Sequence, residues 1–383
     1  MHRLKLICIM LIVILTATGC WDKVEIDKRA FVVVICIDKF QPKEENGKKP
    51  IDSSKNRYVV TIEYPNAGVI AGKQDGEPKF TYSSVGKSFY DTLESLSTRL
   101  GRKMQFRHIK AIILGEALAK DEKLFREILD AIERSPKIGR KVNLMITPGE
   151  AKDLLNTSTK DEPVLGLFIR ELMEQNLRTS RMADADLGYI LRSLHESRAA
   201  ITPKIFSSKD EFKIAASAVI KDFKMVGELG ETDTRNLMFM FNKVQSSLID
   251  VKIDDILLPI HITALNTKKK VYEKNGIIYT SFSIKGEGDL IQHLFEVRDQ
   301  PLDDKYIEKI EKEVSKYIKE QIISTYKKIQ KDFGADLAQA GEYLRKHEPE
   351  LWESIRNDWS EIFPKTKVVV NVDLNIRRIG VTQ

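Results

Sequence analysis

Residues 262–286 read ITALNTKKKVYEKNGIIYTSFSIKG. Apolar and polar side chains alternate on both sides of Asn275-Gly276, the dipeptide best suited to the two positive-φ positions of a tight hairpin turn, so the stretch predicts two long antiparallel strands. Such a pair is solvated on one face and needs a cover on the other. The next periodic segment can supply it. From Leu302 to Phe333, the residues Tyr306, Ile307, Ile310, Val314, Tyr317, Ile318, Ile322, Tyr326, Ile329 and Phe333 recur at spacings of three and four. That predicts one amphipathic helix about 45 Å long. Asp303 and Asp304 sit in its first turn, Lys327, Lys328 and Lys331 near its last, and Gly334 follows as a stop. The apolar stripe suits packing across the sheet; a coiled-coil partner surface is the other use of such a pattern.

Working outward, FKIAASAVI and KMVGEL precede the hairpin as two strands, ETDTRNLMFMFNKV follows them as a helix, and KVVVNVDLNIRRIG ends the chain as a strand. Residues 207–383 are therefore expected to form a C-terminal α+β domain. The first half reads differently. FVVVICID, RYVVTIEY, IKAIILG and KVNLMIT are β-rich runs, with helices expected at Ser88–Leu100 and Ala117–Arg134 and an exposed polar loop, QPKEENGKKPIDSSKN, between neighbouring strands. From Gly149 to Ser197 the pattern turns helical, in VLGLFIRELMEQNL and ADLGYILRSLHES, and Thr202-Pro203 closes it. A boundary is placed between Ala199 and Lys209. The fold class expected is α+β and multi-domain, with mixed and antiparallel sheets packed with helices. An N-terminal α/β region covers 20–200, with 20–148 and 149–200 as its two parts.

At 383 residues, with 42% hydrophobic and 31% charged side chains, the composition is that of a folded body in water and not of a polytopic membrane protein. The formal charge is +6; Arg3 and Lys5 belong to the amino-terminal leader, and removing those two leaves +4 on a body of interspersed acids and bases. That is no nucleic-acid footprint. His2, Arg3 and Lys5 form a positive start to the stretch LKLICIMLIVIL, whose uncharged part is signal-like and short for a bilayer span, and residues 1–19 are read as a signal peptide ending at Ala17-Thr18-Gly19-Cys20. Small residues leading into a cysteine resemble a bacterial lipobox, although Ala17 stands where leucine is commonest. Acyl chains on Cys20 would hold the body on a membrane, each buried methylene contributing about 0.8 kcal/mol. With Cys8 in the leader and Cys20 lipidated, Cys36 has no partner for a disulfide and is expected to be a small buried hydrophobe.

Catalytic signatures are near misses. Val85-Gly86-Lys87-Ser88 has Thr81 where a phosphate loop needs its first glycine and reads as a helix start; Asp332-Phe333-Gly334 lacks every other kinase element. His2, His108, His195, His261, His293 and His347 show no metal-ligand spacing, so no catalytic residue, cofactor or metal site is expected and the chain is read as a non-enzyme.

The remaining strings resemble the Ger(x)C family, the lipoprotein C subunits of bacterial spore germinant receptors, over essentially the whole chain. They are GCWDKVEIDKRAFV with Cys20, Trp21, Asp22 and Glu25; AIILGEALAK with His108 and Lys110 just before it; FKIAASAVIKDFKMVGELGETDTR with Gly227, Glu231 and Arg235; and the closing block QAGEYLRKHEPELWESIRNDWSEIFPKTKVVVNVDLNIRRIG with Gly341, Pro349, Trp352, Trp359, Phe363 and Gly380. Where the pattern often has glycine before the alternating strand, Ala215 and Ala216 stand here. Trp352 and Trp359, two turns apart on one expected helix, read as core anchors rather than a ligand pocket. Trp21 and Asp22 suit either a headgroup interface or a linker. The resemblance implies that Cys20 carries S-diacylglycerol and N-palmitoyl groups, on the outer face of the spore inner membrane. It implies integral-membrane A-type and B-type receptor subunits as partners, and a role in the germination response through assembly or coupling; direct nutrient binding by this chain is left open. The alternative is a lipid-anchored solute-binding protein of a transporter, which needs two similar lobes; a surface hydrolase is a third.

Overall fold

The computed structural model describes residues 28–42, 55–157, 159, 161–176, 180–244, 246–292 and 303–379. Its strands are β1 Arg29–Phe31, β2 Val34–Lys39, β3 Tyr58–Pro65, β4 Lys79–Gly86, β5 Lys103–Gln105, β6 Ala111–Gly115, β7 Asn143–Thr147, β8 Ala199–Ser208, β9 Glu211–Lys221, β10 Lys224–Leu229, β11 Ser247–Ile253, β12 Ile256–Lys274, β13 Ile277–Leu290 and β14 Lys367–Ile379. Its helices are α1 Ala67–Ile70, α2 Phe89–Ser97, α3 Glu116–Ala119, α4 Glu122–Glu133, α5 Leu165–Asn176, α6 Leu187–Ser197, α7 Glu231–Met240, α8 Asp304–Lys328, α9 Ala340–His347, α10 Pro349–Ile355 and α11 Trp359–Ile362.

The strands form an eight-stranded mixed sheet in the order β10-β9-β8-β7-β6-β2-β3-β4, a four-stranded sheet β11-β12-β13-β14, and the short parallel pair β1-β5. In the large sheet β2, β6, β7 and β8 run parallel, which requires cover on both faces. The two-residue period of the strands supplies both. Ile35, Ile37, Ile112, Leu114, Leu144 and Ile146 join the core under α2, α4 and α6, while Val34, Cys36, Ile113 and Met145 face Leu154, Leu155, Leu165 and Ile169 from a 3-10 turn at Ala151–Asn156 and from α5. Cys36 is fully buried, as expected of a small hydrophobe.

The hairpin forms as read, with Asn275 at φ +54 and Gly276 at φ +73, and the Gly276 amide donates to Glu273 Oε1 at 2.7 Å. The long helix also forms. Asp303 accepts from the Tyr306 amide, α8 runs to Lys328, and one π turn at Ile329–Phe333 ends at Gly334 with φ +54. Its stripe packs on the four-stranded sheet, with Ile310, Val314, Ile318, Ile322 and Tyr326 in one core with Leu258, Ile260, Phe282, Ile284, Val370 and Leu374. The open edge of β14 is partly capped by the same helix, because the Ile376 amide donates to Glu311 and the Leu374 amide to Ser315.

Several elements differ from expectation. The helix expected over Ala117–Arg134 is two, because Asp121 accepts from the Leu124 amide at 3.1 Å and starts α4 afresh. The helix expected from Ser88 begins at Phe89 with Ser88 as its cap, so the Val85-Gly86-Lys87-Ser88 string is a helix start. Strand β4 is polar and lies at a sheet edge, so it did not stand out from its flanks, and β11, an alternating run of seven residues, is a further strand that the expected elements do not include. Residues 199–208, where the change of region is placed, form β8, paired with β7 on one side and β9 on the other, so the large sheet crosses that point. Of the polar loop expected at 41–56, residues 43–54 lie outside the described residues; the strands it joins, β2 and β3, are antiparallel neighbours. Trp352 and Trp359 are not on one helix: a 3-10 turn at Arg356–Asp358 separates α10 from α11.

Between β2 and the 3-10 turn lies Asp38, 3% exposed, whose carboxylate accepts from the amides of Ala151 at 2.6 Å and Lys152 at 3.0 Å. Burial raises its pKa to about 6 in spite of those two bonds. Between about pH 4 and 6 the folded state thus keeps a proton that the unfolded chain has released, and stability from this group falls as pH rises through that window. Across pH 4 to 7 the stability of the wild type relative to Asp38→Asn is expected to fall by about 2 kcal/mol, read from urea unfolding at each pH. An unchanged difference would show that Asp38 titrates normally.

A second consequence concerns Ala216. It is the bulged residue where β8 and β9 slip register, at φ +62, and its amide donates to the Arg181 carbonyl at 3.1 Å. The glycine often found in this part of the pattern thus answers a backbone need and not packing alone. Ala216→Gly is expected to raise unfolding stability by about 0.5–1 kcal/mol in urea titration; a loss would show that the methyl group matters more than the strain.

Candidate functional site

The closing block folds around one carboxylate. After Gly334 the chain turns through Asp336, Leu337, Ala338 and Gln339, the last at φ +56, before α9 begins. Asp336 is 4% exposed; its Oδ1 accepts from the Ala340 amide at 2.9 Å, and its Oδ2 from the Gly341 amide at 2.7 Å and from Trp359 Nε1 at 3.1 Å. Three donors, two at a helix start, are what a desolvated carboxylate needs. Burial nonetheless holds its pKa above the ordinary carboxylate range, opposed by those bonds and by Lys269. Lys269, on β12, donates to the carbonyls of Ala338 at 2.8 Å and Gln339 at 3.0 Å, and burial pulls its pKa down.

The family-like residues of the block converge here. Gly341 lies so close to the indoles that an added Cβ would stand 2.8 Å from Trp359 Nε1 and 3.0 Å from the Trp352 ring. The two indoles meet edge to face at 5.6 Å, and Trp359 leads through Phe363 to Tyr326 and Phe282, with ring centres 6.0–6.2 Å apart. Pro349 opens α10. Gln330, in the π turn of α8, donates to the carbonyls of Phe363 and Thr366. Trp359 is therefore a buried anchor, and Trp352 a half-buried one beside it.

The other marked residues serve the same framework. An added Cβ on Gly227 would lie 2.5 Å from Phe333, so this glycine lets β10 reach the π turn. Arg235 donates to the Leu248 carbonyl and joins α7 to β11, and Glu231 pairs with Lys213. His108 and Lys110 lie elsewhere, at the N-terminal ends of the parallel strands, where His108 meets Phe31 edge to face at 5.3 Å. Cys20, Trp21, Asp22, Glu25, His2, His293 and Gly380 lie outside the described residues. Sequence reading missed Asp336, Lys269 and Gln330; the one local signal was an acid four residues before a helix start.

Two clefts flank this node. One of about 640 Å³ is lined by Tyr189, Arg192, Glu196, Lys243, Lys269 and Lys346; the other, of about 390 Å³, by Arg198, Asp336, Trp352, Arg356 and Trp359. The first is bounded by closed ion pairs, Lys243 with Asp184 at 2.9 Å, Lys346 with Glu342 at 2.6 Å and Arg345 with Glu196 at 3.4 Å. Among the described residues no group of three or more His, Cys, Asp or Glu side chains is placed to hold a metal ion, and no helix is long and apolar enough to cross a membrane. The arrangement braces the carboxy-terminal block against the four-stranded sheet.

Replacing Asp336 by alanine strands three buried donors, and Asp336→Ala is expected to cost about 3 kcal/mol or more in urea unfolding, with a shift of tryptophan emission from Trp359. A cost under about 1 kcal/mol would show that the block does not depend on this carboxylate.

Comparison with known proteins accounts for nearly all of the described body. Residues 22–206 match the family described as spore germination protein N-terminal domain, and residues 215–380 that described as spore germination B3/GerAC like, C-terminal. The chain is 24% identical to spore germination protein YndF of Bacillus subtilis (strain 168), over 99% of this chain and 97% of that one. It is 26% identical to spore germination protein A3 of the same organism, over 99% and 98% of the two chains. The crystal structure of the GerBC protein superposes with a TM-score of 0.60 at 19% identity, covering 83% of this chain and 93% of that one, which shows a shared fold. The chain belongs to the GerAC family of spore germination proteins, the Ger(x)C family that its sequence resembles.

Proposed function

We propose that this chain is the lipoprotein C subunit of a nutrient germinant receptor. It is held through S-diacylglycerol and N-palmitoyl groups on Cys20 at the outer face of the spore inner membrane. There it acts by assembly and coupling with A-type and B-type integral-membrane subunits and not by catalysis. The observation that carries this reading is the extent of the family match, which takes up at residue 22, two residues after the Cys20 of the lipobox-like Ala17-Thr18-Gly19-Cys20, and covers 22–206 and 215–380. Two further features support it. The residues of the closing block are spent on bracing, with Asp336, Gly341, Trp352, Trp359 and Phe363 bound to one another. A tethered body also meets membrane partners at raised effective concentration, so modest interfaces suffice. The solute-binding alternative calls for two similar lobes, whereas the halves here differ: an eight-stranded sheet covered on both faces, and a four-stranded sheet under one long helix.

The test is nutrient-triggered germination of spores carrying Cys20→Ala, beside a clean deletion, with membrane fractionation of the protein. Loss of the response in both strains, with the variant protein leaving the membrane fraction, is expected. Normal germination of the deletion strain on every nutrient tested would overturn the receptor reading.

A further inference from the structure

The N-terminal ends of the parallel strands β2, β6 and β7 carry an unusual density of cations. β5, whose first residue is Lys103, pairs with β1, and the Val32 amide donates to the Gln105 carbonyl. Arg107 follows in the next loop. Lys110 immediately precedes β6, and its carbonyl accepts from the Asn143 amide at 3.2 Å, which brings the loop before β7, with Lys137 and Lys141, alongside. Lys103, Arg107, Lys137 and Lys141 are exposed and Lys110 is half-buried. None of these cations stands in an ion pair among the described residues, whereas the acids at this end are mostly engaged. Glu63 is buried against Lys79, Glu133 is paired with Arg140 and His195, Asp184 is paired with Lys243, and Asp186 caps α6. Asp75 and Glu77, on the turn before β4, bound the cluster.

The same end of the sheet is where the chain enters. β1 begins at Arg29, nine residues after Cys20, a length that can reach at most about 30 Å. A lipid on Cys20 therefore keeps this end within that reach of the membrane surface. We infer that Lys103, Arg107, Lys110, Lys137 and Lys141 form a rim that contacts the headgroups of anionic lipids and sets the orientation of the tethered body. The inference rests on the lipid-anchor reading for the placement of this end, while the charge cluster stands on its own. Cations at a negatively charged surface are attracted over roughly one Debye length, and several acting together supply an orienting force that one mobile tether does not.

The test uses the mature chain, residues 20–383, carrying Cys20→Ala so that no acyl group contributes. It is mixed with phosphatidylglycerol-containing vesicles or with pure phosphatidylcholine vesicles and sedimented. Binding to the anionic vesicles alone is expected, weakening as salt rises. Binding should fall on the order of a thousandfold or more when Lys103, Arg107, Lys110, Lys137 and Lys141 are all changed to Gln, and about thirtyfold for the loop pair Lys137→Gln and Lys141→Gln, which leaves the strands untouched. Changing Lys268, Lys270 and Lys274 on the hairpin to Gln should leave binding unchanged. Equal binding to both vesicle types, or full binding by the loop-pair variant, would overturn the rim. Acyl mass on the intact protein, and its retention by pure phosphatidylcholine vesicles, reads the tether separately, so a missing lipid and a missing rim give different results.

Discussion

The fold is organised by carboxylates taken out of water and satisfied by main-chain amides at the start of helical segments. Asp336 accepts from Ala340 and Gly341 at the head of α9, Asp38 from Ala151 and Lys152 at the head of the 3-10 turn, and Glu63 from Gly166 in the first turn of α5. A bare carboxylate in such a place would be prohibitive. Amides at a helix start offset part of that penalty, because they point the right way and have no intrahelical partners of their own. Burial still wins on balance at all three, since each pKa is raised and not lowered. These sites therefore fix which segment meets which strand more than they add to net stability.

Each carboxylate joins elements far apart in the chain: β2 to the turn after β7, β3 to α5, and the loop after α8 to the aromatic cluster of the carboxy terminus. Lys204 does the same on the far side of the large sheet, reaching Glu116 and Glu228 with only 4% of its side chain exposed. The close approaches that this demands fall on glycines. Gly115 stands where a Cβ would lie 2.2 Å from Asp38, Gly166 would press on Val33, and Gly341 on the two indoles. The body is thus braced from β2 to β14 by a continuous apolar core with a few buried polar ties.

How much of this was legible depended on the range of the interaction. Asn275-Gly276, the stripe from Tyr306 to Phe333 and its stop at Gly334, the buried runs around Cys36 and Ile113, and the helix start at Ser88 were readable because turn chemistry, periodicity and helix-end preferences act over a few residues. The break at Asp121 was hidden because the flanking residues all favour helix. Strand β4 was hidden because an edge strand carries little apolar pattern, and β8 because Thr202-Pro203 reads locally as a stop while the neighbours that make it a strand come from β7 and β9. The Ala216 bulge is a register effect between two strands, which a single strand's sequence does not encode.

By itself, then, the sequence determined the long helix and its ends, the hairpin, the buried strands of the first half, and the family to which the chain belongs, since all of these are carried by local patterns or by strings of residues in order. Tertiary structure alone decided that Asp336, Lys269 and Trp359 are one unit, that the large sheet runs through residues 199–208, and that Lys103, Lys110 and Lys141 share one end of it with the incoming chain. The reason is that burial and electrostatic neighbourhood are properties of the packed chain: residues 269, 336 and 359 acquire a common environment only once the sheet and the long helix have closed around them.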